Sequence, residues 1–442
     1  MSDTLRQSID ELFLEHGAEL SDNGILKYCY NNEEFVPGSS TIYYSGPYWD
    51  KAEAKAGVEA FLFGKWLSSG ENVSRFEGQF SRKFTQKQSV MLNSGSSANL
   101  AMIAGLKETQ GWKDGDEIIV CVSGFPTTVS AIIQNNLTPV FVDVSLTDMN
   151  WDLSQLDAAV TNKTRGVFLS PVLGNPCDMD NLTEICEDAN ISLIIDGCDS
   201  LGTKWQKKNL TTYGIATSCS FYPSHHISTG EGGMVSSNDP QLITAVRSYA
   251  SWGRDCYCKG AANLLPCGSC NKRFDNWLPG MDDIVDHKYV YSRVGWNLKP
   301  LDLQGAIGSV QLKKFDRIKE LRRLHKTWID AIFNHVLPSV KTINEHKSAE
   351  TSWFGVPLIC ETAEQKQALI AHLEKHKIQT RNYFAGNLLL HPGYAHLGTA
   401  SDYPKAIDLF RRSFFLGCHP SYTEEMFAYI RLVVSQFPGA RT

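Results

Sequence analysis

The stretch ISLIIDGC (residues 191–198) is nearly unbroken in apolar residues until it reaches Asp196. A strand covered on one face alternates apolar and polar positions. A mostly apolar run that ends in a turn predicts a strand buried on both faces. Working outward, EIIVCVSGF (117–125), PVFVDVS (139–145) and GVFLSPVLG (166–174) carry the same signature, with polar or helix-like stretches between them. That repetition predicts an α/β domain built on a mostly parallel sheet. Residues 302–335 combine helical apolar spacing with many charges, which predicts one long or broken helix leaving the large domain. Beyond it, SWFGVPLIC (352–360) reads as a strand, and AEQKQALIAHLEKH (363–376) and MFAYIRLVVSQF (426–437) as helices. A smaller α+β C-terminal domain follows. The expected division is an N-terminal segment 1–70 packing with the small domain, a large domain 71–310 with an irregular loop at 253–287, and the small domain 311–442.

Composition narrows the function classes. The 442 residues are 42% hydrophobic and 20% charged, with a net charge of −6 and no basic tract. That balance suits a globular protein and gives nucleic-acid binding no electrostatic support. No apolar run has the roughly 18 residues that a membrane helix needs. The N-terminus lacks the basic and apolar regions of a signal peptide, so a cytoplasmic location is expected. There are twelve cysteines, read in a reducing compartment as core thiols, catalytic groups or metal ligands. Cys29, Cys121, Cys186, Cys219, Cys360 and Cys418 sit singly among mostly apolar neighbours and are expected in the core.

Several motifs could carry chemistry. In LNSGSSANL (92–100), Gly95, Ser96 and Ser97 precede a helix-like run. Small residues at a helix N-terminus suit either a simple cap or an anion such as phosphate. Asp196 ends an apolar strand, where open α/β sheets bind ligands. It can be a helix cap, or it can hold the proton of a ring nitrogen as the pyridinium partner of a pyridoxal cofactor does. SFYPSHHISTGEGG (220–233) then places two histidines ahead of a glycine-rich turn.

The glycine-serine turn, the strand-end Asp, and Ser-Phe before Gly-Glu-Gly-Gly together resemble the DegT/DnrJ/EryC1/StrS family. The resemblance spans roughly residues 50–435. It implies a fold-type-I pyridoxal-phosphate (PLP) aminotransferase architecture and a homodimer with active sites between subunits. In the family this segment reads S-F-x-x-x-K-x-x-x-x-G-E-G-G, and the lysine tethers the cofactor. Ser220, Phe221, Gly230, Glu231, Gly232 and Gly233 match, but His225 occupies the lysine position. Imidazole cannot form the tether, yet it can abstract a proton near neutral pH. His225 is therefore expected as the catalytic base. His226 is expected to be structural.

The histidine resembles the sugar C3-dehydrases of this family. One branch is cluster-free, and the other is of the CDP-4-dehydro-6-deoxyglucose 3-dehydrase type, which pairs pyridoxamine phosphate (PMP) with a [2Fe-2S] cluster. The second branch implies Cys198, Cys256, Cys258 and Cys270 as ligands. Eleven residues separate Cys258 from Cys270, more than that pattern expects, so Cys267 is a rival. By chemistry alone, these thiols suit tetrahedral zinc as well as iron. The resemblance also implies Gly95, Ser96, Ser97, Phe125, Asp196, Asp199, Ser220, Tyr222 and Asn297 at the cofactor, with Asn297 reaching the neighbouring subunit's phosphate. Phe125 can stack on the ring or be core. Arg381 and Asn387 can touch substrate, or serve as a surface and a capping residue. The implied substrate is a nucleotide-linked (CDP) 4-keto-6-deoxyhexose of lipopolysaccharide dideoxysugar synthesis. The resemblance also implies a separate NADH-dependent flavin reductase as the electron source; no flavin or nicotinamide fingerprint occurs in this sequence. A cluster-free glutamate-dependent dehydratase and an aminotransferase-like protein with structural zinc are the alternatives.

Overall fold

A computed structural model describes residues 2–15, 35–256, 258–259, 271–278 and 280–441. The large domain holds a seven-stranded sheet in the order β1-β9-β8-β5-β4-β2-β3. Its strands are β1 (Gln88–Leu92), β2 (Glu117–Cys121), β3 (Thr138–Val142), β4 (Thr164–Leu169), β5 (Ser192–Asp196), β8 (Ala216–Ser220) and β9 (Gly233–Ser237). β5, β4, β2 and β3 pair in parallel, as the apolar runs predict, and β8, which is not such a run, joins them in parallel beside β5. β9 runs antiparallel to both β8 and β1, so the sheet is mixed at one edge. Two antiparallel pairings in succession point β1 the same way as β8. The C-terminal ends of β1, β5 and β8 therefore share one edge of the sheet.

Leu193, Ile194 and Ile195 are buried, as are Ile118, Ile119, Val167 and Phe168. Burial of about 1.5–3 kcal/mol per large apolar side chain drives this layered core. The short strands β6 (Lys204–Trp205) and β7 (Lys208–Asn209) form a second small sheet with β11 (Ala349–Glu350).

Asp302–Val336 is one unbroken 35-residue helix. Near its start Gly305 lies against the backbone of Val73, in the helix Glu71–Lys83. Near its end, Ile329, Phe333 and Val336 belong to the small domain's core. That domain carries an antiparallel sheet, β10-β12-β14-β13, made of β10 (Lys341–Thr342), β12 (Val356–Ile359), β13 (Thr380–Asn382) and β14 (Ser413–Leu416). The helices Ala363–Lys375 and Glu424–Ser435 flank it. Ile42, from the N-terminal segment, packs in the same core and pairs with Ile378. Cys121, Cys186, Cys219, Cys360 and Cys418 are buried core thiols as expected, and Cys177 joins them. Cys29 lies outside the described residues. No helix among the described residues is long and apolar enough to cross a membrane.

Candidate active site

The segments leaving β1, β5 and β8 meet the small domain around a cavity of about 710 Å³. Ligand pockets commonly measure about 300–1,000 Å³. Ser94, Gly95, Ser96, Asp196, Cys198, Asp199, Ser220, Tyr222 and His225 line it from the large domain; Phe354, Arg381, Phe384, His391 and Phe415 close it from the other side.

The glycine-serine turn is the start of the helix Gly95–Thr109. Ser94 is its N-cap, and its hydroxyl accepts from the amide of Ser97 at 3.1 Å. Ser96 faces the cavity, whereas Ser97 does not line it; its hydroxyl receives a hydrogen bond from Ser94. Helix N-termini present unpaired N–H groups to anions. A Cβ on Gly95 would stand 2.5 Å from the Cβ of Ser220. A Cβ on Gly233 would stand 2.1 Å from the carbonyl oxygen of Ser94. These two glycines let the β8–β9 hairpin close against the helix start, which explains part of the Gly-Glu-Gly-Gly run.

Asp196 is buried at the end of β5. Its Oδ2 accepts from Asn99 Nδ2 at 2.7 Å and from Thr128 Oγ1 at 2.6 Å. Its Oδ1 accepts from the Cys198 amide at 3.2 Å and Ser218 Oγ at 3.4 Å. These donors fix the carboxylate on the cavity floor; a helix-capping role is not what it performs.

His225 lies in the irregular segment after β8, and its amide donates to the carbonyl of Tyr222 at 3.0 Å. Its Nδ1 sits 3.3 Å from Asp199 Oδ1, an ion-pair distance without hydrogen-bond alignment. The ring packs against Phe354 with centroids 5.3 Å apart. The arrangement is a candidate base with an orienting carboxylate behind it. His226 turns inward instead, with Nε2 at 2.9 Å from the carbonyl oxygen of Ser352. Burial and the Arg322 charge push it well below the usual histidine range. Phe125 is 57% exposed, so it is a wall of the cavity and not a core residue.

The cysteines and Asn297 are placed differently. Cys198 lines the main cavity beneath Gly95, where burial and neighbouring Asp196 push its thiol up. Cys256 and Cys258 lie thiol against thiol in a second cavity of about 580 Å³, together with Asn297, Arg254, Lys259 and Lys299. Burial raises the Cys256 thiol. Asn297 Oδ1 accepts from Lys299. Within one chain, the expected convergence of Cys198 with Cys256 and Cys258 does not occur. One thiol follows β5 in the middle of the sheet, while the other two lie in the cavity lined by Val90 and Met91 of the edge strand β1. Among the described residues, no three His, Cys, Asp or Glu side chains are grouped to hold a metal ion. Cys267 and Cys270 fall outside the described residues.

Asn387 is fully buried; it caps the turn Leu388–Leu390 and donates to the carbonyl of Ala400 at 2.9 Å. Its position is structural, a capping role and not a cavity contact. Arg381 lines the cavity and stacks over Tyr44 at 4.0 Å. Ser94 and His391 also line the cavity without having been singled out by the sequence, and Glu231, known there only as part of the Gly-Glu-Gly-Gly match, lines it too. Ser94 had a visible signal, since a serine directly before a helix start is an N-cap pattern.

Residues 49–435 match the DegT/DnrJ/EryC1/StrS aminotransferase family. The chain is 35% identical over 411 residues to the dTDP-4-dehydro-2,6-dideoxy-D-glucose 3-dehydratase of Saccharopolyspora spinosa, covering 91% of this chain and 88% of that protein. It is 33% identical to the lipopolysaccharide biosynthesis protein RfbH of Salmonella typhimurium, covering 99% of both. Among solved structures, it resembles the E. coli GDP-4-keto-6-deoxy-D-mannose-3-dehydratase with bound hydrated PLP. There the TM-score is 0.78 at 30% identity, covering 89% of this chain and 100% of that one. The fold, the glycine-serine helix start and the matched span agree: the chain belongs to the DegT/DnrJ/EryC1/StrS aminotransferase family.

Proposed function

We propose that this protein is a PMP-dependent dehydratase that removes the C3 hydroxyl of a nucleotide-linked 4-keto-6-deoxyhexose. One observation carries the reading. The cavity presents an imidazole backed by Asp199, and no lysine is among the described residues that line it. The residues fit a pyridoxal-type cofactor: a cradle too tight for a Cβ lies at Gly95, and a fully anchored carboxylate lies on the floor.

When bound, the cofactor supplies an amine for the sugar's C4 ketone and a ring that accepts the electrons released on deprotonation. The start of the helix Gly95–Thr109, with Ser96 and Ser220, holds the phosphate. Asp196 keeps a proton on the ring nitrogen. Phe125 walls the site against water. The Asp199 carboxylate lies behind Nδ1 of His225 at 3.3 Å, and Nε2 is the ring nitrogen we assign to take the proton. An imidazole does this without competing as an amine, and C3–O cleavage follows from that proton's removal.

The nucleotide we propose is CDP, on the resemblance; the relatives named above carry dTDP and GDP labels. We also propose electron supply through a [2Fe-2S] centre and a separate flavin reductase. The support is the sequence pattern of the thiols and the pairing of Cys256 with Cys258. The described thiols of one chain do not fit such a centre by themselves. Further ligands would come from Cys270 or Cys267, or from a second subunit. A homodimer is supported by the exposed Val58, Phe61 and Leu62, which border an apolar groove of about 390 Å³.

His225→Lys tests the reading. It is expected to retain the cofactor covalently after borohydride reduction, seen by mass spectrometry, and to lose C3 dehydration. Continued dehydration at the parent rate removes His225 from the base role. A parent protein that itself retains borohydride-fixed cofactor supports the aminotransferase alternative.

A further inference from the structure

The long helix Asp302–Val336 buries an arginine without a counter-ion. Arg322 is 1% exposed, and no carboxylate among the described residues lies within ion-pair distance. A buried, unpaired charge is costly, so its partners matter. Its Nη1 donates to the carbonyl oxygens of Phe354 at 3.0 Å and Trp353 at 3.4 Å. Its Nη2 donates to the carbonyl oxygen of His225 at 3.4 Å. Its Nε is buried without a partner. The groups facing it are the Cys418 thiol, His226, His325, His419 and Tyr422, with Asp199 farther off. Burial lowers all three histidines, which disfavours further positive charge beside the guanidinium.

His225 belongs to no helix or strand, so its position depends on tertiary contacts, among them Asp199 at 3.3 Å from Nδ1. Its amide is held by Tyr222, its ring rests on Phe354 and its carbonyl is held by Arg322. The same guanidinium holds the carbonyl of Phe354, the residue against which the imidazole packs. We propose that Arg322 is a positioning residue for His225: its planar fork ties the backbone of the base to the backbone of the ring it leans on, across the two domains. Lysine is a point charge on a flexible stem and cannot span the same carbonyls.

This inference rests on His225 being the base, and the test separates the two. Arg322→Lys and Arg322→Gln are compared with the parent in three measurements. These are melting temperature, the histidine ring carbon signals by NMR (with His225 assigned through His225→Asn), and kcat and KM for the sugar nucleotide. Misplacing a reacting group by about 1 Å costs about 100-fold. The expected result is a folded protein with a displaced or broadened His225 signal, kcat lowered about 10- to 100-fold and KM within about threefold. A folded variant with an unchanged His225 signal overturns the proposal. So does a uniform decline in which KM rises as the melting temperature falls, or failure of both variants to fold, since each marks a packing role. A parent protein without dehydratase activity sinks the base assignment alone, while the NMR signal still decides whether Arg322 holds His225.

Discussion

Gly95→Ala probes the phosphate cradle. The new methyl would lie 2.5 Å from Ser220 Cβ, 2.9 Å from Ser220 Oγ and 3.1 Å from Cys198 Sγ. Carbon atoms pack best at about 3.5–4.0 Å, so the helix start must move away from β8 by roughly 1 Å or more. Overpacking of this kind costs about 1–3 kcal/mol in stability. The same displacement pulls the helix N–H groups and Ser96 away from Ser220. Losing one charge-assisted hydrogen bond to the phosphate costs about 1.5–3 kcal/mol, or about 10- to 150-fold in dissociation constant. Absorbance titration with PLP and PMP measures this directly. Gly393→Ala is the control, because a methyl there meets nothing within 4 Å. Affinity of Gly95→Ala within about threefold of the control would refute the placement of the phosphate at this helix start, given that one lost bond should cost at least about tenfold.

Two further outcomes follow from the buried groups. Burial holds His419 near 3 against an ordinary 6.5, and it lowers His226 and His325 too. The folded chain therefore binds protons on these rings less readily than the unfolded chain, which protonates them below about pH 6.5. Stability is therefore full above that pH and falls as pH drops toward the folded values, by up to about 1.4 kcal/mol per pH unit for each ring. His419→Gln should flatten the slope of urea-unfolding stability between about pH 6 and 4; an unchanged slope contradicts the assignment. For the thiols, Cys256→Ser should abolish iron binding by anaerobically purified protein while leaving cofactor affinity intact, by metal analysis and electron paramagnetic resonance. Unchanged iron content, or zinc in its place, would reject the iron–sulfur proposal.

The fold was legible because its main signals are local. Apolar runs such as Leu193–Ile195 are strands covered on both faces, and the charged periodic run from 302 is one helix. The antiparallel β9 was not legible, since Gly233–Ser237 has no alternation and β1, one of its two partners, is remote in sequence. At the site, Asp196, Ser220 and His225 were legible through their order around glycine-rich turns. Arg322 was not, because it sits among other charges on a helix that reads as solvated, and only tertiary packing buries it. For Asn387 the sequence leaves substrate contact and capping open, and only the fold shows its side chain bonded to backbone in the small domain. Ser97 fell one residue too far along the helix turn, which places its hydroxyl against Ser94. The cysteine spacing could not disclose that Cys198 and the Cys256–Cys258 pair line different cavities.

The most direct test of the central claim is mass spectrometry of the sugar nucleotide after incubation with the PMP-loaded protein in heavy-oxygen water, using CDP-, GDP- and dTDP-linked 4-keto-6-deoxyhexoses in parallel. Cleavage at C3 predicts either a product lighter by one oxygen atom or return of the heavy isotope to C3, and neither with His225→Asn. An exchange confined to the C4 ketone in every substrate, or C3 exchange that persists in His225→Asn, would contradict the account.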